Sequence, residues 1–106
     1  MAASLVLGTP AKIASAVSTI TTSQTFSIQP KQAGGDFSGY FQFVGTIGPG
    51  IIDLQISLDG GTTWSVLKAA LQTLANDLVT PLFSGALYRL NFSTAPTLVD
   101  AWVVVN

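Results

Sequence analysis

Ile52-Asp53-Leu54-Gln55-Ile56-Ser57-Leu58 leads directly into Asp59-Gly60-Gly61-Thr62-Thr63-Trp64. In the first part, Ile52, Leu54, Ile56 and Leu58 alternate with Asp53, Gln55 and Ser57. A period of two describes a strand with one face on a core and the other in water. The second part is turn chemistry. Asp59, Gly60 and Gly61 tolerate positive φ, and the Asp59 carboxylate can accept hydrogen bonds from turn N–H groups. Trp64 is placed to fold its ring back over the turn. Residues 57–64 therefore predict a tight hairpin, with Ser57, Asp59, Gly60, Gly61, Thr63 and Trp64 as its structural residues.

The same alternation recurs outward from this hairpin. Residues 37–44 set Phe37, Phe41 and Phe43 against Ser38, Tyr40 and Gln42. Residues 24–28 set Phe26 and Ile28 against Thr25 and Ser27, and residues 86–92 set Tyr88, Leu90 and Phe92 against Arg89 and Asn91. Residues 98–105 are apolar on both faces except for Asp100. Weaker strand patterns cover 4–7, 13–20, 62–66 and 78–83. Pro81 cannot donate to a sheet ladder, which places the 78–83 strand at an edge or on a bulge. Gly- and Pro-containing breaks at 8–10, 30–35, 48–50 and 95–96 mark connections. Leu67, Ala70, Leu71, Leu74 and Leu78 follow helical spacing, so a short helix near 68–75 stands equally with an irregular strand or loop. The pattern predicts an all-β chain: a two-sheet antiparallel sandwich, with the jelly roll as one arrangement of it, formed as one domain over residues 1–106.

Composition narrows the function classes. The 106 residues contain no Cys and no His, and the five acids are all Asp. Disulfides, thiol chemistry and the commonest general base are therefore missing. Lys12, Lys31, Lys68 and Arg89 are the only bases, too few and too dispersed for a phosphate-binding patch, so no nucleic-acid partner is expected. Charged residues are 8% of the chain, well below the average of about 25%. No apolar run approaches the roughly 20 residues of a membrane span. The N-terminus lacks a basic segment and is interrupted by Gly8 and Pro10, so synthesis in the cytoplasm without a signal peptide is expected. An apolar chain with so few charges is expected to cover part of its surface with other subunits.

Two resemblances follow from these residues. Residues 57–64 resemble the Asp-box, S-x-D-x-G-x-T-W, of sialidases and other β-propeller proteins, where it is a structural hairpin repeated once per blade. Here it occurs once, and one Arg cannot supply the arginine cluster of a sialidase. More broadly, residues 51–106 resemble small virion proteins of tailed bacteriophages. Those pair a DGGTTW hairpin with a G-x-YR-N strand, here Gly85 to Asn91, and a final β-strand. The resemblance implies a virion structural protein, most specifically a capsid cement or decoration protein. Its partners would be the major capsid protein or other virion proteins, in a homo-oligomer or symmetric lattice. A head-fibre, tail or baseplate component and a non-catalytic carbohydrate-binding module are the alternatives.

No catalytic, cofactor-binding or metal-ligating set is expected. Asp53 and Asp59 are read on one outward face of a strand, with the other acids at turns or on a strand face. No phosphate loop or nucleophile motif occurs. The candidate interface residues are Trp102, Tyr40, Val99 and Val103. If the valines of the last strand face the core, Trp102 points outward, where a large ring marks a contact. If that sheet is covered on both sides, Trp102 is core. The first and last strands, 4–7 and 98–105, are candidates for sheet-edge pairing with a neighbouring chain.

Overall fold

The structure is a computed structural model and describes residues 3–5, 8–28, 37–69, 71, 77–82 and 86–105. Among the described residues ten strands are formed: β1 (Ala3–Leu5), β2 (Ala11–Val17), β3 (Thr21–Thr22), β4 (Phe26–Ile28), β5 (Phe37–Thr46), β6 (Ile51–Ser57), β7 (Ser65–Lys68), β8 (Asp77–Leu82), β9 (Leu87–Thr94) and β10 (Leu98–Val105). They make a six-stranded sheet in the order β1-β4-β9-β6-β7, with β3 also on β9, and a four-stranded sheet in the order β2-β10-β5-β8. All pairs are antiparallel except β1 with β4, which is parallel.

The pairing is nested. β6 pairs β7, β5 pairs β8, β4 pairs β9, and β2 pairs β10. One long hairpin has thus been rolled up, and β9·β6 and β10·β5 close the roll. This is the jelly-roll arrangement of two packed sheets. Its innermost turn is the connection from β6 to β7, the Asp59-Gly60-Gly61 segment.

Period-two alternation accounts for the core. Ile52 and Leu54 on β6, Tyr88, Leu90 and Phe92 on β9, and Phe26 and Ile28 on β4 face inward from one sheet. Phe41 on β5 and Val99, Ala101, Val103 and Val105 on β10 face them from the other. The layers meet at Phe26 and Phe41, whose rings are 6.2 Å apart, and Phe26 stacks on Tyr88 at 5.6 Å. Each fully buried side chain of this size contributes about 1.5–3 kcal/mol. Ser23, buried between β3 and β4, substitutes for a ladder residue. Its N–H donates to Leu90 O (2.8 Å), and its Oγ accepts from Leu90 N (2.9 Å).

Several boundaries differ from the sequence pattern. β10 matches 98–105, whereas β7 begins at Ser65 rather than 62 and β2 ends at Val17 rather than 20. The alternation of 52–58 fails at its end: Ser57 is buried and Leu58 is 79% exposed. The reason is the loop, which draws Ser57 inward to hydrogen bond. Pro81 lies on the edge strand β8, where the pairing with β5 shifts register between Phe37 and Gly39. The expected edge role of residues 98–105 is overturned, because β10 lies between β2 and β5 and its backbone is already paired on both sides. β1 does sit at a sheet edge. No helix occurs among the described residues; of the possible helix near 68–75, residues 70 and 72–75 lie outside them. Leu71 is buried, with its N–H bonded to Ile52 O.

One end of the roll is held by backbone packing. Gly45 has φ +118°, and a Cβ there would collide with the carbonyl oxygen of Leu98. A Cβ on Gly50 would lie 2.8 Å from Pro96 Cα. Gly45→Ala should therefore cost about 2 kcal/mol or more, from left-handed strain and displacement of β10. Denaturant unfolding checks this, the expected result being a lower midpoint at unchanged slope.

Candidate functional site

The β6–β7 loop is built by its own side chains. Ser57 Oγ donates to Asp59 Oδ1 (2.8 Å) and accepts from Gly61 N (2.9 Å). Asp59 Oδ1 also accepts from Thr62 N (3.1 Å) and Thr63 N (2.8 Å). These donors lower the Asp59 pKa from 3.8 to about 2, the Thr63 N–H contributing most, then the Ser57 hydroxyl and the Thr63 side chain. Gly60 and Gly61 have φ of +79° and +99°. Trp64 folds back, its Nε1–H donating to Gly61 O (3.1 Å). The loop spans the seven residues between Ser57 and Ser65, so it is a longer, side-chain-knit connection rather than the tight hairpin expected.

A partner absent from the sequence reading clamps the loop to the sheet. The Arg89 guanidinium lies 4.2 Å from the Trp64 ring centroid, and Arg89 Nε donates to Gln55 Oε1 (2.7 Å). Gln55 and Arg89 face each other across β6 and β9. The signal was the shared outward parity of Gln55 and Arg89, but only the pairing register makes them neighbours.

The candidate interface residues separate. Val99 and Val103 are 1% exposed and belong to the core, so they are not surface contacts. With those valines inward, Trp102 takes the outer face of the four-stranded sheet. It is half-buried there and stands opposite Gln42, while Val104 stands opposite the exposed Tyr40. Trp102 is held from one side. Lys12 Nζ lies 5.5 Å from its ring centroid and 3.7 Å from Asp100 Oδ2. Asp100 Oδ1 accepts from Ala16 N (2.7 Å), and Ala16 has φ +52° where β2 slips register against β10. Asp100 thus supports a bulge. A depression of about 140 Å³ lies between Tyr40, Gln42, Trp102 and Pro10.

Asp53, Asp59 and Asp100 lie apart from one another. Asp53 is on the outer face of the six-stranded sheet, and Asp100 is on that of the other sheet. Asp59 is in the loop rather than on the face of β6, correcting its expected placement beside Asp53.

A further surface has no counterpart in any motif. The β2–β3, β5–β6 and β9–β10 connections lie at one end of the roll, as the registers Val17↔Val99, Leu98↔Thr46 and Ile51↔Thr94 require. Residues 18–22, 45–51 and 93–98 contain no charged side chain. Ile20, Ile51 and Leu98 are exposed there, at 70%, 38% and 54%. No helix of the described residues is long and apolar enough to cross a membrane. Comparisons of the chain with models of known protein families, with curated proteins and with solved structures find no match.

The lowered Asp59 pKa has a definite pH consequence. Its stabilising contribution is complete above the ordinary carboxyl range near pH 4 and is lost as pH falls through about 2. Asp59→Asn should melt below the wild type at neutral pH, with the gap narrowing between pH 4 and 2. Gly61→Val, forced to positive φ, should lower the melting temperature at every pH. Thermal melts followed by circular dichroism across that range check both.

Proposed function

We propose that the chain is a non-enzymatic structural protein of a tailed-bacteriophage virion, most specifically a capsid cement or decoration protein that bridges neighbouring capsid subunits. The observation that carries this reading is the uncharged end of the roll. Three connections without one ionisable side chain present Ile20, Ile51 and Leu98 to the surroundings. A free surface normally carries interspersed charges, and an apolar end that lacks them suits burial against another subunit. The centre of a protein interface is likewise poor in charge and rich in aliphatic and aromatic anchors. The virion assignment itself draws on the likeness of residues 51–106 to small phage structural proteins. Behind this end Gly45 lies against Leu98 and Gly50 against Pro96, with no room for a side chain at either glycine.

The contact works by burial of apolar surface rather than by chemistry. The partner is the major capsid protein or another virion protein, in a symmetric array. The test is reconstruction of particles assembled with the wild-type chain, with no chain, and with Ile20→Lys/Leu98→Lys. Both positions are exposed, so the variant's fold stability should change by less than about 1 kcal/mol. The expected result is symmetric density on the head for the wild type, with at least about tenfold lower occupancy for the variant, since two buried lysines cost well over 1.4 kcal/mol. Density on the tail would move the assignment to a tail or baseplate component. Absence from particles, or variant occupancy equal to wild type, would overturn the proposal.

A further inference from the structure

We propose that the depression between Trp102 and Tyr40 on the outer face of the four-stranded sheet binds a neutral saccharide, one pyranose ring lying against the two aromatic side chains. The site is set by register. Trp102 stands opposite Gln42 and Tyr40 opposite Val104 on the paired strands β10 and β5. The two rings are therefore diagonal neighbours, with β-carbons roughly 7 Å apart. Between them lies the depression of about 140 Å³, with Pro10 as a further wall.

The lining chooses the chemistry. A pyranose is apolar on its C–H faces and hydrogen-bonding around its rim, so it needs flat apolar walls and a few groups that both donate and accept. Trp102, Tyr40, Pro10 and Val104 provide the walls. The Gln42 carboxamide, on an exposed side chain, provides two donors and an acceptor at the centre. Small-molecule sites combine these two properties. A purely apolar protein segment seated here would bury the Gln42 amide without partners, at a cost of about 1–3 kcal/mol.

Charge excludes the other ring-shaped ligands. None of these lining side chains carries a charge at neutral pH. Among the described residues the nearest cation, Lys12, is committed to the Trp102 ring and to Asp100. Among the described residues a nucleotide or other phosphorylated ring would find no uncommitted cation here, whereas a neutral sugar needs none. The Lys12–Asp100 pair instead holds the indole in place, reducing the ordering cost of binding. The depression is on a sheet face, away from the uncharged end, so saccharide binding does not rest on the assignment to a virion.

The chain has two tryptophans, which supply a signal and its reference. Trp64 Nε1–H is bonded to Gly61 O in the β6–β7 loop of the other sheet. In ¹⁵N-labelled protein, the two indole N–H resonances and the Gln42 side-chain amide are followed during titration. The probes are glucose, galactose, N-acetylglucosamine and the disaccharides cellobiose and chitobiose. The expected result is a saturable shift of the Trp102 and Gln42 signals with at least one probe, while Trp64 stays fixed. Gln42→Ala, at an exposed position that leaves the core intact, should weaken that binding about tenfold, or 1.4 kcal/mol. No saturable shift at Trp102 with any of the five probes overturns the proposal. So does a Trp102 shift whose midpoint Gln42→Ala leaves unchanged. Particle occupancy, read separately, is unaffected by either outcome.

Discussion

β9 and β10 are the strands on which the others hang. β3, β4 and β6 pair with β9, β2 and β5 pair with β10, and β1, β7 and β8 attach one strand further out. The two central strands belong to different sheets and are joined only by residues 95–97, so that connection must turn the chain from one layer to the other. It does so against the 45–50 corner, with Gly45 at Leu98 and Gly50 at Pro96 in backbone contact. The Gly45 contact lets β5 and β10 pair closely within one sheet, the Gly50 contact packs the two crossing connections together, and Phe26 and Phe41 meet between the layers further in. Because its pairings join residues far apart in the chain, this topology closes large loops before its contacts are rewarded.

The opposite end of the roll is organised by a different principle. The β6–β7 loop leaves Leu58 exposed and buries no core residue of its own, and hydrogen bonds order it. One Asp59 oxygen gathers a hydroxyl and two amide donors. Trp64 then ties the loop to the sheet through Arg89, itself oriented by Gln55. This explains why Ser57 points inward at the end of β6 although the strand pattern places it outside. A hydroxyl that both donates to Asp59 and accepts from Gly61 stabilises the turn more from inside it than from solvent.

The two outer faces and the two ends divide the labour. The β6–β7 loop at one end is internally hydrogen-bonded, and residues 18–22, 45–51 and 93–98 at the other carry no charge. On the four-stranded sheet, the few charges are used locally: Lys12 and Asp100 brace Trp102 and the β2 bulge at Ala16. Apolar contact and neutral hydrogen bonding are the common ground of the subunit contact and the saccharide site proposed for it.

The all-β class, the main strands, the edge position of Pro81 and the glycine geometry of the β6–β7 loop were legible in the amino-acid sequence. Each follows from local chemistry: side-chain alternation, a missing N–H, or freedom at positive φ. Trp102 was legible only as a choice between two faces, settled once Val99, Ala101, Val103 and Val105 were seen to turn inward together. The interior position of β10 was not legible, because apolar residues on both faces fit an edge as well as a centre, and pairing partners are far away in the chain. The Arg89–Trp64 clamp, the left-handed Ala16 at a bulge and the uncharged end were also beyond sequence reading. Sequence alone determined which segments extend and which way most of their side chains alternate. Tertiary structure decided which segments become neighbours, because register and sheet order are set by contacts between residues that no local pattern connects.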